Sequence, residues 1–217
     1  MGMSYIAERR VEEKERRRAE IVDAAEYLYA DKGWDAVTMD QVAKRARLSR
    51  ALVYVYFRDK EELLFAIGQR AMQVLCERFT EAARRHVRGI DQVHAIGRAY
   101  MAYAHEFPHY FDACARFQAH SVAPDPGSNE GACRDAGDQA IAVVVGAITV
   151  GIADGSVRAD IGPPMLVAVS LWAFTHGIIQ LAMAKGADLA YLGIAPADFG
   201  EFAFGLVHDM AAARGPA

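Results

Sequence analysis

Apolar residues recur along most of the chain at intervals of three and four positions, the spacing that places side chains on one face of an α-helix. A half-buried strand would need alternating apolar and polar positions, and no stretch of the sequence alternates in this way. The sequence therefore predicts an all-α fold without internal repeats. The predicted helices cover about residues 11–32, 39–46, 50–56, 59–85, 91–106, 108–120, 133–153, 164–185 and 196–214.

The stretch between residues 38 and 60 predicts two short helices joined by a tight turn. Thr38 followed by Gln41 has the spacing of a capping box, in which each residue bonds to the backbone of the other at the start of a helix. Ser49 is a suitable cap for the second helix. Residues 47–48 then form the turn between the two helices, which are compact and sharply bounded.

The second of these helices presents a surface suited to nucleic acid. If Val53 and Phe57 face inward, the 100° rotation per residue turns Ala51, Leu52 and Val55 outward and leaves Tyr54 and Tyr56 on the flanks. Residues 44–60 include six basic residues and one acid, in a chain whose net charge is −4. A short helix with basic flanks, hydroxyls and tyrosines at its edges is what entry into a DNA major groove requires.

Residues from about Ile21 to Ile67 form one extended pattern. It contains the Gly33-Trp34 corner, Thr38, the Val42-Ala43 pair, Ser49, Tyr54, Tyr56-Phe57, and Lys60 followed by Glu-Glu-Leu. This pattern resembles the amino-terminal domain of the TetR/AcrR family of transcriptional regulators, and it is specific because it spans nearly fifty positions. One position departs from the family, which usually has Gly in the turn where this chain has Arg47. A non-Gly residue in a left-handed conformation costs roughly 1 kcal/mol, so we expect a slightly altered turn or a phosphate contact by Arg47.

The resemblance implies a helix-turn-helix DNA-binding domain with an amino-terminal arm in residues 1–60, and a helical effector-binding and dimerisation domain in residues 61–217. We expect Arg50 to be the main donor to a base edge, with guanine as its partner. Methyl contacts with thymine are expected from the outward apolar positions, and phosphate contacts from the matched family positions. The predicted DNA-binding residues are Thr38, Arg45, Arg47, Ser49, Arg50, Ala51, Leu52, Tyr54, Val55, Tyr56 and Lys60.

The last two long helices carry apolar stripes that contain small residues, which permit close helix approach. Pairing these stripes across a two-fold axis would form a four-helix dimer interface, and packing within one chain is the alternative. A dimer is required for DNA recognition, since two recognition helices must lie roughly 34–36 Å apart or a multiple of that distance. The corresponding helices form the dimer in the resembling family. The predicted dimerisation residues are Val169, Ala173, Gly177, Leu181, Phe202, Leu206 and Met210.

Aromatic residues with a few polar groups are concentrated in the middle of the carboxy-terminal region. Such a set is typical of a small-molecule pocket, and equally of an apolar core. The family resemblance favours the pocket, because relatives bind effectors among these helices. His176 and His120 are then candidates to orient a polar group, or are core histidines. The predicted ligand-binding residues are Tyr103, Phe107, Tyr110, Phe111, Phe117, His120, Trp172, His176 and Ile179.

Enzymatic chemistry has little support in the sequence. Residues 105–109, His-Glu-Phe-Pro-His, match the letters of a zinc-protease motif, but that motif needs a continuous helix and Pro108 interrupts one. There is no glycine-rich phosphate loop, no nucleophile elbow and no CxxC pair. We therefore expect a protein that is not an enzyme and that has no metal site and no cofactor.

The composition indicates a cytoplasmic protein. Three cysteines without metal-like spacing indicate a reducing compartment, and the amino terminus lacks the apolar core of a signal peptide. Residues 140–153 are too short to cross a bilayer. Residues 163–184 are long enough, but they include Ser170, Thr175, His176 and Gln180, which favour a buried bundle helix over a membrane span.

Together these observations predict a ligand-responsive transcriptional regulator, most simply a repressor. Its expected partners are a palindromic double-stranded DNA operator, a second copy of the chain and an unidentified small apolar or aromatic effector, with no membrane. The alternative is a small-molecule-binding helical protein with a degenerate DNA-binding module, which Arg47 in the turn favours. The arginines of residues 9–18 either contact DNA as an arm or pair with nearby glutamates along a helix.

Overall fold

Regular structure in this chain is helical, as the periodicity predicted. The computed structural model describes residues 2–116 and 124–212, except the side chains of residues 2–6 and 207–208. Within those ranges, the all-α prediction is confirmed. The helices are α1 (Gly2–Lys32), α2 (Met39–Ala46), α3 (Arg50–Tyr56), α4 (Lys60–Arg84), α5 (Gly89–Glu106), α6 (Pro108–Arg116), α7 (Asn129–Ala153), α8 (Pro164–Ala184), α9 (Gly186–Tyr191) and α10 (Pro196–Ala211), with a 3-10 turn at Trp34–Ala36.

Helices with strong start signals have the predicted bounds, and the differences lie where such signals are weak. Helices α2 and α3 span the residues expected from their caps. Helix α7 begins earlier than predicted because the hydroxyl of Ser128 accepts a hydrogen bond from the amide of Gly131. Helix α9 was not predicted, since six residues are too few to show helical periodicity. The predicted extension of α6 to residue 120 lies outside the described residues.

The chain divides into two compact units. The first unit comprises Met1–Ala71 and Pro108–Arg134, and the second comprises Met72–Phe107 and Asp135–Ala217. Helix α4 therefore contributes its first part to the first unit and the remainder to the second, while α6 belongs to the first. This division describes packing, and the functional domains at residues 1–60 and 61–217 stay a prediction.

The core of the first unit holds helix α3 in place. Val53 of α3 and Phe57, the C-cap residue of α3, are fully buried, together with Val42 of α2, Ile21 of α1 and Leu63 of α4. The inward face that the apolar spacing predicted for α3 is thus the observed one. Burying each of these side chains contributes about 1.5–3 kcal/mol, so α3 owes its position to the packing of four helices rather than to its own seven residues.

In the second unit, α5 lies very close to both α7 and α10. A Cβ atom at Gly89 would lie 2.0 Å from the backbone nitrogen of Gly151, so glycine is needed where α5 crosses α7. The carboxylate of Asp154 accepts a hydrogen bond of 2.8 Å from the amide of Gly89. On α10, the ring of Phe204 stacks on His94 with 5.0 Å between ring centroids. These contacts fix the frame that carries α8 and α10.

Helices α7 and α8 are long and apolar enough to cross a membrane by length and composition alone. Of their most apolar stretches, 33% and 22% respectively are buried in the chain. These criteria are also met by core helices of soluble proteins and are weak evidence of a span. Helix α8 is less buried than the bundle helix that we predicted, because one of its sides has no partner among the described residues of this chain.

Candidate nucleic-acid interface

The start of α2 has the predicted capping box. The hydroxyl oxygen of Thr38 accepts from the amide of Gln41 at 3.3 Å, and the side-chain oxygen of Gln41 accepts from the amide of Thr38 at 3.0 Å. Thr38 is exposed, and its hydroxyl hydrogen is not used by the cap. The positive end of the α2 dipole and this hydroxyl together form a site suited to a phosphate oxygen.

The turn between α2 and α3 contains Arg47 and keeps its backbone hydrogen bonds. Arg47 adopts a left-handed conformation with φ 58° and ψ 36°, and among the described residues it is the one non-Gly residue with positive φ. The amide of Leu48 donates to the carbonyl of Ala43 at 3.0 Å, which completes the end of α2. The arginine side chain is exposed. The turn therefore keeps its hydrogen bonds with Arg47, at the cost of a strained left-handed backbone conformation at this residue.

Because of this strain, we expect Arg47→Gly to raise the free energy of unfolding by about 1 kcal/mol. In a chain of this size, that change raises the melting temperature by about 2–4 °C. Arg47→Ala is the matched control, because it removes the same side chain but keeps the Cβ atom that causes the strain. Thermal and urea unfolding followed by circular dichroism measure both variants. An equal gain for alanine and glycine would contradict this explanation.

Helix α3 presents a mixed apolar and hydroxyl surface to solvent. The hydroxyl of Ser49 accepts from the amide of Leu52 at 3.2 Å and begins the helix, as predicted. Val55 is 77% exposed and Tyr54 is 41% exposed, and Ala51 is also exposed. Leu52 and Tyr56 are half-buried at the flanks. Ala51 and Val55 are exposed, as the helical rotation predicted. Leu52, which was predicted to face outward, is half-buried, and Tyr54, which was predicted on a flank, is exposed.

The guanidinium of Arg50 is held at the amino end of α3. Its Nε lies 3.1 Å from Oδ1 of Asp40 on α2, and its Nη1 donates to Oδ2 of the same residue at 3.3 Å. The guanidinium also lies 5.5 Å from the ring centroid of Tyr54. A hydrogen bond with Tyr54 and the charge of Asp40 raise the pKa of Arg50 above its ordinary value. Asp40 thus orients the predicted base-reading side chain.

Two further predicted DNA-binding residues have protein partners. The guanidinium carbon of Arg45 lies 3.1 Å from the ring centroid of Tyr27 on α1, so this exposed ring supports the arginine. The ammonium of Lys60 donates to the carbonyl of Trp34 at 2.6 Å and lies 4.8 Å from the Trp34 ring centroid. Burial lowers the pKa of Lys60. Lys60 therefore holds the 3-10 turn against α4, and its phosphate contact stays a prediction.

Helix α6 is tied to the same unit by an ionic network. The guanidinium of Arg116 donates to both carboxylate oxygens of Asp35, at 2.9 and 3.1 Å, and to Asp112 at 2.8 Å. Asp112 also accepts a hydrogen bond of 2.7 Å from the hydroxyl of Tyr29 on α1. Hydrogen bonds to Asp112 and Asp35 raise the pKa of Arg116, and burial raises that of Tyr29. The network positions α6 beside the turn that precedes the DNA-binding motif.

Aromatic residues of the second unit surround one polar pair. The hydroxyl of Tyr100 lies 2.8 Å from Nδ1 of His176, so this pair places two polar groups among the aromatic rings. Tyr103 is fully buried, and the ring of Trp172 lies edge-on to His176 at 6.1 Å and is 50% exposed. Burial lowers the pKa of His176, so its ring is neutral at pH 7. A neutral imidazole paired with a phenol is a hydrogen-bonding site for an uncharged polar group.

The predicted ligand-binding residues are divided between the units. The second unit contains Tyr103, Phe107, Trp172, His176 and Ile179. Tyr110 and Phe111 belong to the first unit, where Tyr110 packs against the core around α3. The remaining two, Phe117 and His120, lie outside the described residues.

The predicted dimerisation residues are all exposed in the single chain. On α10, Phe202, Leu206 and Met210 are 69%, 53% and 59% exposed. On α8, Val169, Ala173, Gly177 and Leu181 are exposed, and a Cβ atom at Gly177 would meet no other atom within 4 Å. We call these two helix surfaces the α8/α10 face. The alternative of packing within the chain does not apply to these side chains.

The letters of a zinc-protease motif do not form that motif's geometry. Helix α5 ends at Glu106 and α6 begins at Pro108, so His105 and His109 are not on one continuous helix. Among the residues that the structure describes, no three histidine, cysteine or acidic side chains are grouped as metal ligands.

Several contacts of this interface had no signal in the sequence. Each of these contacts joins residues on different elements. The pairs are Asp40 with Arg50, Tyr27 with Arg45, and Arg116 with Asp35. Sequence periodicity reports which face of a helix is buried, but it does not report which charged side chains meet across helices.

Two family models match the chain over most of its length. Residues 21–67 match the bacterial regulatory proteins of the tetR family, and residues 93–202 match the tetracyclin repressor-like carboxy-terminal domain. The chain belongs to the TetR family of transcriptional regulators. Helices α2 and α3 lie inside the first match. The second match contains all of α8 and the first part of α10, the two helices that carry the α8/α10 face. Members of this family are transcriptional regulators, and the family is not known for enzymes.

Curated relatives match part of this TetR-family chain. The transcriptional regulator HbdR of Aromatoleum sp. is 41% identical over 51 residues, which are 24% of this chain and 22% of HbdR. The transcriptional activator FasR of Mycolicibacterium smegmatis is 34% identical over 71 residues, which are 33% of this chain and 32% of FasR. The chain thus spans less than a third of the length of these two relatives.

Solved structures resemble this TetR-family protein over nearly its whole length. A TetR/AcrR-family regulator from Thermobifida fusca aligns with a TM-score of 0.67 at 21% identity, over 89% of this chain and 97% of its own. FadR from Bacillus subtilis, in complex with stearoyl-CoA, aligns at 0.66 with 14% identity, over 91% and 99%. AibR, in complex with isovaleryl coenzyme A and operator DNA, aligns at 0.64 with 17% identity, over 88% and 97%. At these identities the likeness concerns the fold.

Proposed function

We propose that this TetR-family regulator is a cytoplasmic homodimeric repressor. It binds a palindromic operator through α3 and releases that operator when a small apolar or aromatic effector binds in the second unit. The observation that carries this proposal is the α3 surface, where Arg50 is oriented at the amino tip and Tyr54 and Val55 face solvent. Such a surface fits the major groove, and it has no use in a protein that only binds small molecules.

The α8/α10 face supports the homodimer. Apolar side chains that are 41–69% exposed lie at helical spacing on both helices, from Val169 to Met210. A contiguous apolar surface of this kind marks a protein interface. A second copy is the occupant that the DNA proposal requires, because a palindrome presents two half-sites of the same sequence. Gly177 and Ala173 allow two α8 helices to approach closely.

The effector proposal rests on the aromatic cluster of the second unit. Tyr103, Phe107 and Trp172 offer apolar contact, and the pair of Tyr100 and His176 offers one polar anchor. FadR and AibR, which share the fold, are complexed with stearoyl-CoA and isovaleryl coenzyme A respectively. Both are acyl thioesters of coenzyme A, so acyl groups are reasonable first probes for this cluster.

The test is binding to labelled duplex DNA taken from the region flanking the gene, measured by fluorescence anisotropy. We expect the wild-type protein to bind this DNA specifically and to lose roughly 5–150-fold in affinity when stearoyl-CoA or isovaleryl-CoA is added, the range of typical allosteric coupling. Free coenzyme A controls for the nucleotide part of the probe. His176→Ala should reduce the response to acyl-CoA without changing DNA affinity in its absence.

The outcomes separate the parts of the proposal. If the protein does not prefer the flanking DNA over a random-sequence duplex, the operator assignment is wrong. If it binds this DNA but neither acyl-CoA weakens binding, DNA recognition stands and the acyl group is not the effector. Equal release of wild type and His176→Ala would place the effector away from the pair of Tyr100 and His176.

A further inference from the structure

The amino-terminal part of α1 forms a groove with the recognition helix. Helix α1 is continuous from Gly2 to Lys32, and residues 9–16 lie beside the end of α3. The groove is shallow and open to solvent, and four of its seven lining residues are basic. The lining residues are Arg9, Arg10, Glu12, Glu13, Lys14, Arg16 and Tyr56.

The acids of this groove do not cancel its positive charge. The carboxylate of Glu13 is bound by Arg16 and by Arg17, the latter at 3.1 Å, and the bond to Arg16 lowers the pKa of Glu13. Arg17 in turn donates to Glu20 at 3.0 Å. These ion pairs run along the helix and compensate Glu13 locally. Of the other charged residues that line the groove, Arg9, Arg10 and Lys14 are basic and Glu12 is acidic.

Tyr56 identifies the partner that suits the groove. Tyr56 is the last residue of α3, and the same side chain lines the groove and flanks the recognition surface. A polyanion bound along the flank of α3 would therefore also contact the arginines of α1. A DNA phosphate backbone has this shape and charge, whereas an acidic peptide would compete with DNA for Tyr56.

We infer that the amino-terminal part of α1 is a second DNA-binding surface, on which Arg9, Arg10 and Lys14 bind the phosphate backbone beside the recognition helix. The inference rests on the proposed function and extends it to residues outside the helix-turn-helix motif. The contacts are independent of base sequence, since they involve phosphates alone. Because the segment is already helical, binding does not require the ordering of a flexible tail.

The experiment compares wild type with the double variant Arg9→Gln and Arg10→Gln on two duplexes of roughly 30 base pairs, long enough for two half-sites. One duplex is selected by the wild-type protein from random sequence, and the other is an unselected random sequence. Affinities are measured by anisotropy between about 50 and 200 mM salt, the range in which phosphate contacts dominate the change. The matched control is Arg84→Gln with Arg85→Gln, which removes two exposed arginines at the end of α4.

We expect the double variant to reduce the slope of log affinity against log salt by about 0.9 for each lost contact, and to weaken binding about tenfold on both duplexes. Arg9→Lys with Arg10→Lys should retain the wild-type slope. The Arg84 and Arg85 control should bind like wild type. An unchanged slope in the glutamine variant would overturn the inference.

A second measurement does not depend on the folding of the variant. A photo-crosslinking residue placed at position 10 in the otherwise wild-type chain should crosslink to the selected duplex, and absence of crosslinks would overturn the inference. If wild type itself selects no duplex, the proposed function is wrong. If wild type binds specifically while the glutamine variant matches the control, only the inference about α1 is wrong.

Discussion

Replacing Phe202 and Leu206 with glutamate is expected to leave the chain monomeric and to lower its affinity for a palindromic operator by roughly 100-fold or more. Both side chains are exposed in the single chain, at 69% and 53%, and lie one turn apart on α10. In the proposed dimer they are buried against the partner. A buried carboxylate without a cationic partner costs several kcal/mol, which exceeds what most interfaces can lose.

The loss of DNA affinity follows from the geometry of recognition. One α3 helix has seven residues and contacts only a few base pairs. In a dimer, the second helix binds its half-site at a high effective concentration, and this gain disappears in the monomer. The substitutions lie in the second unit, whereas α3 lies in the first, so they leave the proposed DNA-contacting side chains unchanged.

Sedimentation velocity measures the mass, and anisotropy on the selected duplex measures the affinity. Val87→Glu is the matched control, because Val87 is 91% exposed in the segment between α4 and α5, outside the α8/α10 face. The control should stay dimeric and bind DNA as wild type does. A dimeric double variant with wild-type affinity would show that the α8/α10 face is not the interface.

Arg50→Ala is expected to weaken operator binding by about 1–3 kcal/mol, roughly 5–150-fold, at each of the two recognition helices, and to reduce the preference for operator over random DNA. Arg50 is exposed at the amino tip of α3, and Asp40 holds its guanidinium through two nitrogens. The fork of the guanidinium suits two acceptors at once, and guanine offers these in the major groove. The side chain is thus oriented before DNA binds.

Two variants separate charge from geometry at Arg50, and a third variant, at Tyr56, is compared with them. Arg50→Lys keeps the charge but loses the fork, so the salt dependence should persist while operator preference falls. Asp40→Asn removes the carboxylate charge that orients Arg50, and it should lower the ratio of specific to non-specific affinity by a smaller factor than Arg50→Ala. Tyr56→Phe, by contrast, should weaken binding to both duplexes equally, as expected for a phosphate contact.

Anisotropy on selected and random duplexes at several salt concentrations measures these effects. If Arg50→Ala lowers affinity for both duplexes by the same factor, Arg50 contacts phosphate and does not read a base. If affinity and salt slope are unchanged in both Arg50→Ala and Tyr56→Phe, the assigned surface of α3 is wrong. Thermal unfolding should be close to wild type, because the Arg50–Asp40 ion pair is exposed and such pairs contribute little to stability.

The sequence by itself determined the local features of this protein. The capping box at Thr38, the cap at Ser49 and the bounds of α2 and α3 were predicted and are observed, because these signals act within three or four residues. The inward position of Val53 and Phe57 was predicted from helical spacing for the same reason. The family resemblance over residues 21–67 was also visible in the sequence, and a family model matches the same residues.

Only the tertiary structure decided which side chains meet across helices. In the structure, Arg50 pairs with Asp40 and Arg116 pairs with Asp35, and the ammonium of Lys60 donates a hydrogen bond to the Trp34 carbonyl. The sequence grouped Tyr110 with Tyr103, whereas packing assigns them to different units. Periodicity states how far a residue is rotated about its own helix axis, but the crossing of two helices depends on the shapes of all side chains between them. Contacts between distant residues therefore had to come from the fold.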